Sequence, residues 1–202
     1  MKIAKQENCC QCYLADQLLQ QLLEKVDTEV AEKVRQGGCL HCAGKLHRAD
    51  YVRKPRSGTA QDREPGPDIY RDSFCCDQEG CRKRHTPPSV RFLGRKVYWG
   101  LVVVLVSAVR HGPKPQRLQI LRENLGVDGR TVQRWREWWL QSFARSSFWQ
   151  AARARFMPPL DPENLPGSLC EAFGVERRDR LLALLRFLSP LTTDSVPLAR
   201  SV

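Results

Sequence analysis

Two close pairs of cysteines constrain this chain more than anything else in it. One is Cys39-Leu40-His41-Cys42, followed by Ala43-Gly44; the other is Cys75-Cys76-Asp77-Gln78-Glu79-Gly80-Cys81. The first pair has two residues between its thiols, and the second has four if Cys76 partners Cys81 or five if Cys75 does. Four thiolates delivered as two pairs are the ligand set of a closed, tetrahedral structural zinc site. A backbone that doubles back on a metal needs unusual dihedrals, which places Gly44 and Gly80 where glycine is required. Adjacent strand residues point to opposite faces, so only one of Cys75 and Cys76 ligates easily; Cys76 is chosen, with Cys75 the alternative. The predicted ligands are therefore Cys39, Cys42, Cys76 and Cys81, holding one Zn2+ at the tips of two short hairpins. Such a site has no open coordination position, so the metal supports the fold and does not catalyse. His41, His47 and His85 lie near in sequence, but four thiolates already fill the site.

Nine cysteines raise the alternative of a disulfide framework. The opening Met1-Lys2-Ile3-Ala4-Lys5-Gln6-Glu7 has no apolar run, so a reducing, cytoplasmic location is expected, where paired cysteines serve metals. Cys9, Cys10 and Cys12 cluster without a fourth partner and read as free thiols. The apolar run Val97 to Val109 is too short to span a bilayer.

The net charge of +11 is concentrated in the middle of the chain. Residues 45–96 carry 13 basic against 7 acidic residues and residues 110–155 carry 10 against 3, whereas residues 1–36 and 156–202 are each 5 against 6. A basic surface confined to the region of the motifs points to a polyanionic partner, with double-stranded DNA first.

Taken in order, residues 14–34 place Leu14, Leu18, Leu22, Val26, Val30 and Val34 at fourth positions, beside Leu19 and Leu23. They predict one long amphipathic helix, packing on its own domain or forming a homodimer. Strands are expected over Lys45 to Arg56, Ile69 to Cys76 and Arg82 to Phe92, around a loop at residues 57–68. Pro87-Pro88 belong at a sheet edge or beyond it. Helices follow over Val97 to Val109, from Pro115 to Leu125, and from Gly129 to about Phe143, the last capped by Asp128. Leu125-Gly126-Val127-Asp128 would then join two helices in a helix-turn-helix. Val132, Trp135 and Trp139 face inward, leaving Arg130, Gln133, Arg134 and Glu137 free to meet a groove. Ser147 to Phe156, a segment around Leu169 to Phe173, and Glu176 to Leu188 complete the helices, and residues 189–202 read as a frayed tail.

The segment from Cys39-Leu40-His41-Cys42 through Phe74-Cys75-Cys76 to Gly80-Cys81-Arg82-Lys83-Arg84 resembles the zinc ribbon of bacterial insertion-sequence transposases. Leu125-Gly126-Val127-Asp128-Gly129-Arg130-Thr131-Val132-Gln133-Arg134-Trp135 is similar to the helix-turn-helix of the same elements. The resemblance implies metal ligation by the four cysteines, a turn at Gly126, and DNA-facing positions at Arg130 and Arg134. It does not extend to a catalytic domain. Asp161, Glu163 and Glu171 are too close together and too proline-flanked to act as a metal-binding carboxylate triad.

The expected fold is α+β, mostly α: an amphipathic helix (1–36), a zinc ribbon with short hairpins (37–96), a helix-turn-helix domain (97–150) and a C-terminal helical segment (151–202). The expected function is non-catalytic, zinc-dependent DNA binding by an accessory or regulatory factor of a mobile element, nucleoid-associated and acting beside a transposase. Arg130, Gln133 and Arg134, with Arg82, Lys83 and Arg84, would make the DNA contacts. An RNA-binding or protein-docking module is the first alternative, and a recombinase subunit the second.

Overall fold

The long helix α1 runs from Gln17 to Gly37. Asp16 caps its start by accepting from the Leu19 N–H, at 3.2 Å, and Gly38 ends it with a positive φ of 72°. The computed structural model describes residues 16–52, 70–93, 98–108, 114–173 and 178–193. The loop at 57–68 and Cys9, Cys10 and Cys12 lie outside these residues.

The buried line along α1 is Leu19, Leu23, Val26, Asp27 and Ala31, not the fourth-position series. Each step of four residues overshoots a full turn by about 40°. Five such steps therefore wind off the buried side, and Leu18 is left exposed while Leu19 is sealed. A line that alternates threes and fours stays facing one way. Its upper part, Leu19, Leu23 and Val26, joins the main core, whereas Ala31 joins a second, small cluster with Cys39, Leu46, Phe74 and Cys76.

The strands are shorter than the sequence suggests. β1 (Leu46–Arg48), β4 (Phe74–Cys76) and β5 (Arg84–His85) form an antiparallel sheet in the order β1-β4-β5. β2 (Tyr51–Val52) pairs with β3 (Tyr70–Arg71), and β6 (Phe92–Leu93) with β7 (Tyr98–Trp99). Pro87 and Pro88 stand outside any strand, beyond the edge strand β5.

Helix α2 (Gly100–Ser107) is buried at every position from Val102 to Ser107. An element apolar all round is a core helix. Helix α3 (Pro115–Leu125) ends at Gly126, which is left-handed (φ 63°) and donates its N–H to the Arg122 and Leu121 carbonyls. Helix α4 (Gly129–Glu137) is capped by Asp128, whose carboxylate accepts from the Thr131 N–H at 2.7 Å.

α4 does not simply run on to Phe143 as an α-helix. Residues Trp138–Phe143 widen into a π-helix, closed by the Ala144 N–H on the Trp139 carbonyl. Trp139 and Phe143 are both sealed in the core at a ring separation of 4.7 Å, with Trp138 packed edge-on against Trp139 at 4.8 Å. Of the tryptophans at 135, 138 and 139, Trp135 and Trp139 are thus core residues, and Trp138 is half-buried.

The expected helix over Ser147 to Phe156 is split into α5 (Ser147–Ala152) and a 3-10 turn at Arg153–Arg155. α6 (Gly167–Phe173) and α7 (Arg178–Leu188) follow. Aromatic rings from these elements continue the core, Phe143 to Trp149 at 5.3 Å and Phe156 to Phe187 at 5.7 Å.

The tail is not frayed where it is described. Ser189–Thr192 form a 3-10 turn, Leu191 is buried, and the Thr192 hydroxyl accepts the Ser89 N–H at 2.8 Å. A single leucine and one hydrogen bond in a non-periodic segment leave no pattern for a sequence reading to detect. No helix among the described residues is long and apolar enough to cross a membrane.

Candidate metal centre

Cys39 stands two residues beyond the end of α1, where Gly38 has turned the chain. The Cys39 N–H donates to the Gly44 carbonyl at 2.9 Å, and the Ala43 N–H to the Cys39 carbonyl at 2.7 Å. These two bonds close a tight loop that carries Cys42. The left-handed residue in this loop is Ala43 (φ 57°), not Gly44. Gly44 is required for a different reason from the expected one. A Cβ there would sit 2.4 Å from Gln78 Cγ and 3.1 Å from Cys76 Sγ, so glycine is needed for close approach of the two turns. Gly80 does meet the dihedral expectation, at φ 86°.

The second turn leaves β4 at Cys76 and returns through Cys81. The Cys81 and Arg82 N–H groups donate to the Gln78 carbonyl at 3.1 and 3.2 Å. The Asp77 N–H donates to the Lys45 carbonyl at 3.0 Å, tying this turn to the first. Register then sorts the adjacent cysteines. Cys75 sits opposite His47 and Arg84, whereas Cys76 sits opposite Leu46 on the buried face. Cys75 instead aims its thiol at the Arg82 carbonyl, at 3.5 Å.

The sulfurs of Cys39, Cys42, Cys76 and Cys81 all lie within 4.8 Å of one another. Cys39 and Cys81 are 3.6 Å apart, Cys42 and Cys76 3.3 Å, and all four are free thiols. A disulfide requires about 2.0 Å. Tetrahedral bonds of about 2.3 Å to one ion would space sulfurs by about 3.8 Å. The cluster therefore fits a single metal ion, and these four residues can hold one.

The protonation chemistry of the donor set agrees. Burial opposes ionisation of Cys39, but the N–H groups of His41 and Cys42, with His85 and Cys81, bring its thiol down to about 5. Burial pushes the Cys76 thiol up to about 12, the Gln78 N–H opposing this and the neighbouring sulfurs adding to it. Sulfurs this close resist joint ionisation, as any like charges do. A bound cation removes the conflict, because a coordinated thiol is deprotonated outright.

His85, not singled out as a ligand, lies against this cluster with Nε2 3.2 Å from Cys39 Sγ and the His41 ring 5.7 Å away. Its strand register, opposite Phe74, could have revealed the contact only once the sheet was known. Arg82, Lys83 and Arg84 are exposed beyond the second turn, and the Arg84 guanidinium lies over the Tyr51 ring at 5.5 Å.

The other predicted residues sit on α4. Thr131, Val132 and Trp135 are buried, while Arg130, Gln133, Arg134 and Glu137 are exposed. Arg134 donates to the Thr131 hydroxyl at 3.0 Å and Gln133 to Glu137 at 3.0 Å. Arg130 finds no carboxylate partner among the described residues, whose ion pairs all involve residues between Asp27 and Arg91. Comparison with protein-family models, with curated proteins and with solved structures finds no match for this chain.

Proposed function

We propose that this chain is a non-catalytic, zinc-dependent DNA-binding protein, serving a mobile element as an accessory or regulatory factor. Zn2+ is the ion that four thiolates in a tetrahedron suit best, and it would hold the two turns without offering a reactive position. Cys39, Cys42, Cys76 and Cys81 are its ligands. The observation that carries the DNA-binding reading is the two-sidedness of α4. Its inner face is fixed in the core by Val132 and Trp135, so its outer face presents Arg130, Gln133 and Arg134 on a rigid support.

In this reading α3, Gly126 and α4 act as a helix-turn-helix, with α4 in the major groove. Arg130 or Arg134 forked onto a guanine would contribute about 1–3 kcal/mol of discrimination. Arg82, Lys83 and Arg84 meet phosphates, which fixes position without reading sequence. The test is selection from random-sequence duplex pools, followed by affinity measurement at several salt concentrations. Neutralising six phosphates gives a slope of about −5 for log affinity against log salt. No enrichment of any duplex sequence, with single-stranded RNA competing better than duplex, would instead favour an RNA-binding module.

A further inference from the structure

The four sulfurs are not equivalent. Cys42 is exposed, whereas Cys39 is buried and has an imidazole nitrogen against it. His85 itself is only 8% exposed. The strand pairing explains how it gets there. His85 pairs with Phe74, two residues before Cys76, so all three side chains belong to the same face of the sheet. The ring is thereby delivered to the sulfur cluster by backbone geometry and not by a flexible loop.

We propose that His85 is a positioning residue for the metal centre, its Nε2–H donated to the Cys39 thiolate so as to orient that sulfur and hold its charge. This rests on the metal-binding reading and adds to it a defined outer partner. The separation of 3.2 Å is a hydrogen-bonding length for N–H to sulfur. Among the described residues, the group of candidate ligand atoms that all lie within 4.8 Å of one another is the four sulfurs, which makes His85 a neighbour of the ligand set and not a member. A donor to a bound thiolate lowers the energy of the sulfur lone pair, and loss of such outer partners weakens metal binding by about 10- to 100-fold.

The test uses the full chain loaded with Zn2+ or Co2+, comparing wild type with His85→Leu and His85→Gln. Gln offers an amide N–H at a similar reach, and Leu offers none. His85→Leu is expected to lose about 10- to 100-fold in zinc affinity against a chelating dye. It should also move the sulfur-to-cobalt charge-transfer band to lower energy, and His85→Gln should restore both properties. If Leu and Gln variants behave alike, the ring only fills space and the proposal is overturned. A wild-type cobalt spectrum of three sulfurs and one nitrogen also overturns it, because His85 would then be a ligand. If wild type takes up no metal, the metal-binding reading itself falls. Should His85→Leu fail to fold, wild type loaded with an NMR-active cadmium isotope asks the same question. Coupling from the metal to the His85 Nε2–H supports the proposal, and its absence overturns it.

Discussion

Arg91 Nε lies 3.0 Å from Asp27 Oδ2, with 7% and 2% of the two side chains exposed. The Asp27 carboxylate also accepts the Ser89 hydroxyl at 2.6 Å and the Val90 N–H at 2.7 Å, while Arg91 donates to the Tyr70 carbonyl at 3.1 Å. A charged residue in the middle of a helix's buried line is thus satisfied by the chain that leaves the cysteine-bearing sheet. Removing one partner leaves the other charge buried and uncompensated, which costs far more than the pair is worth. Asp27→Ala is expected to lower unfolding stability by about 3–5 kcal/mol. In urea titrations, Asp27→Leu with Arg91→Leu should lose less than Asp27→Ala alone. An equal or larger loss in the double variant would show that the pair is not coupled.

The cysteine assignment predicts opposite outcomes for neighbours in sequence. Cys75→Ser should retain one zinc per chain, since Cys75 faces His47 and Arg84 across the sheet. Cys76→Ser should lose the metal and, with it, the packing of Phe74 and Leu46 beside the cluster. Elemental analysis of the purified variants and near-ultraviolet circular dichroism decide the matter.

The cap of α4 predicts a pH dependence. The Thr131 backbone N–H, with help from its hydroxyl and from Arg134, holds the Asp128 carboxyl below the usual carboxylate range. A depressed folded-state value means that the stabilisation is complete above the unfolded-state value and is lost as pH falls through the folded one. Asp128→Ala should cost about 0.5–2 kcal/mol at neutral pH. Wild type and variant should then converge in acid below the ordinary aspartate range, as followed by thermal melts across pH. A gap that persists there would assign the effect to packing.

Arg130→Ala with Arg134→Ala should abolish sequence preference in duplex selection and leave the melting temperature nearly intact. Arg130 is exposed, and exposed Arg134 gives up its bond to the Thr131 hydroxyl and a charge interaction with the Asp128 cap. Parallel loss of binding and stability would make these arginines structural.

What the sequence reveals best is whatever depends on spacing. Two cysteine pairs announce a four-sulfur cluster because metal chemistry fixes ligand type and number, and period-two alternation says that only one of Cys75 and Cys76 joins it, though the strand register is needed to tell which. Gly126 and Asp128 mark the ends of α3 and α4 because caps are local. What it conceals depends on long-range partners. Nothing near Asp27 in sequence signals a buried carboxylate, since Ser89, Val90 and Arg91 lie more than sixty residues away. His85 reads as one of several histidines until a register places it opposite Phe74. The π-helical widening at Trp138–Phe143 likewise answers to packing of large rings, which no local pattern announces.

Helix α1 spans two apolar clusters, through Leu19, Leu23 and Val26 at one end and Ala31 at the other. It behaves as a beam with both ends clamped, so load applied at either clamp is felt along its whole length. Stripping metal held by the four sulfurs at one end should therefore loosen amide-exchange protection in the first turns of the same helix, far from Cys39, Cys42, Cys76 and Cys81. An ion held by the four sulfurs and the integrity of the helical body would, on this architecture, be mechanically in series.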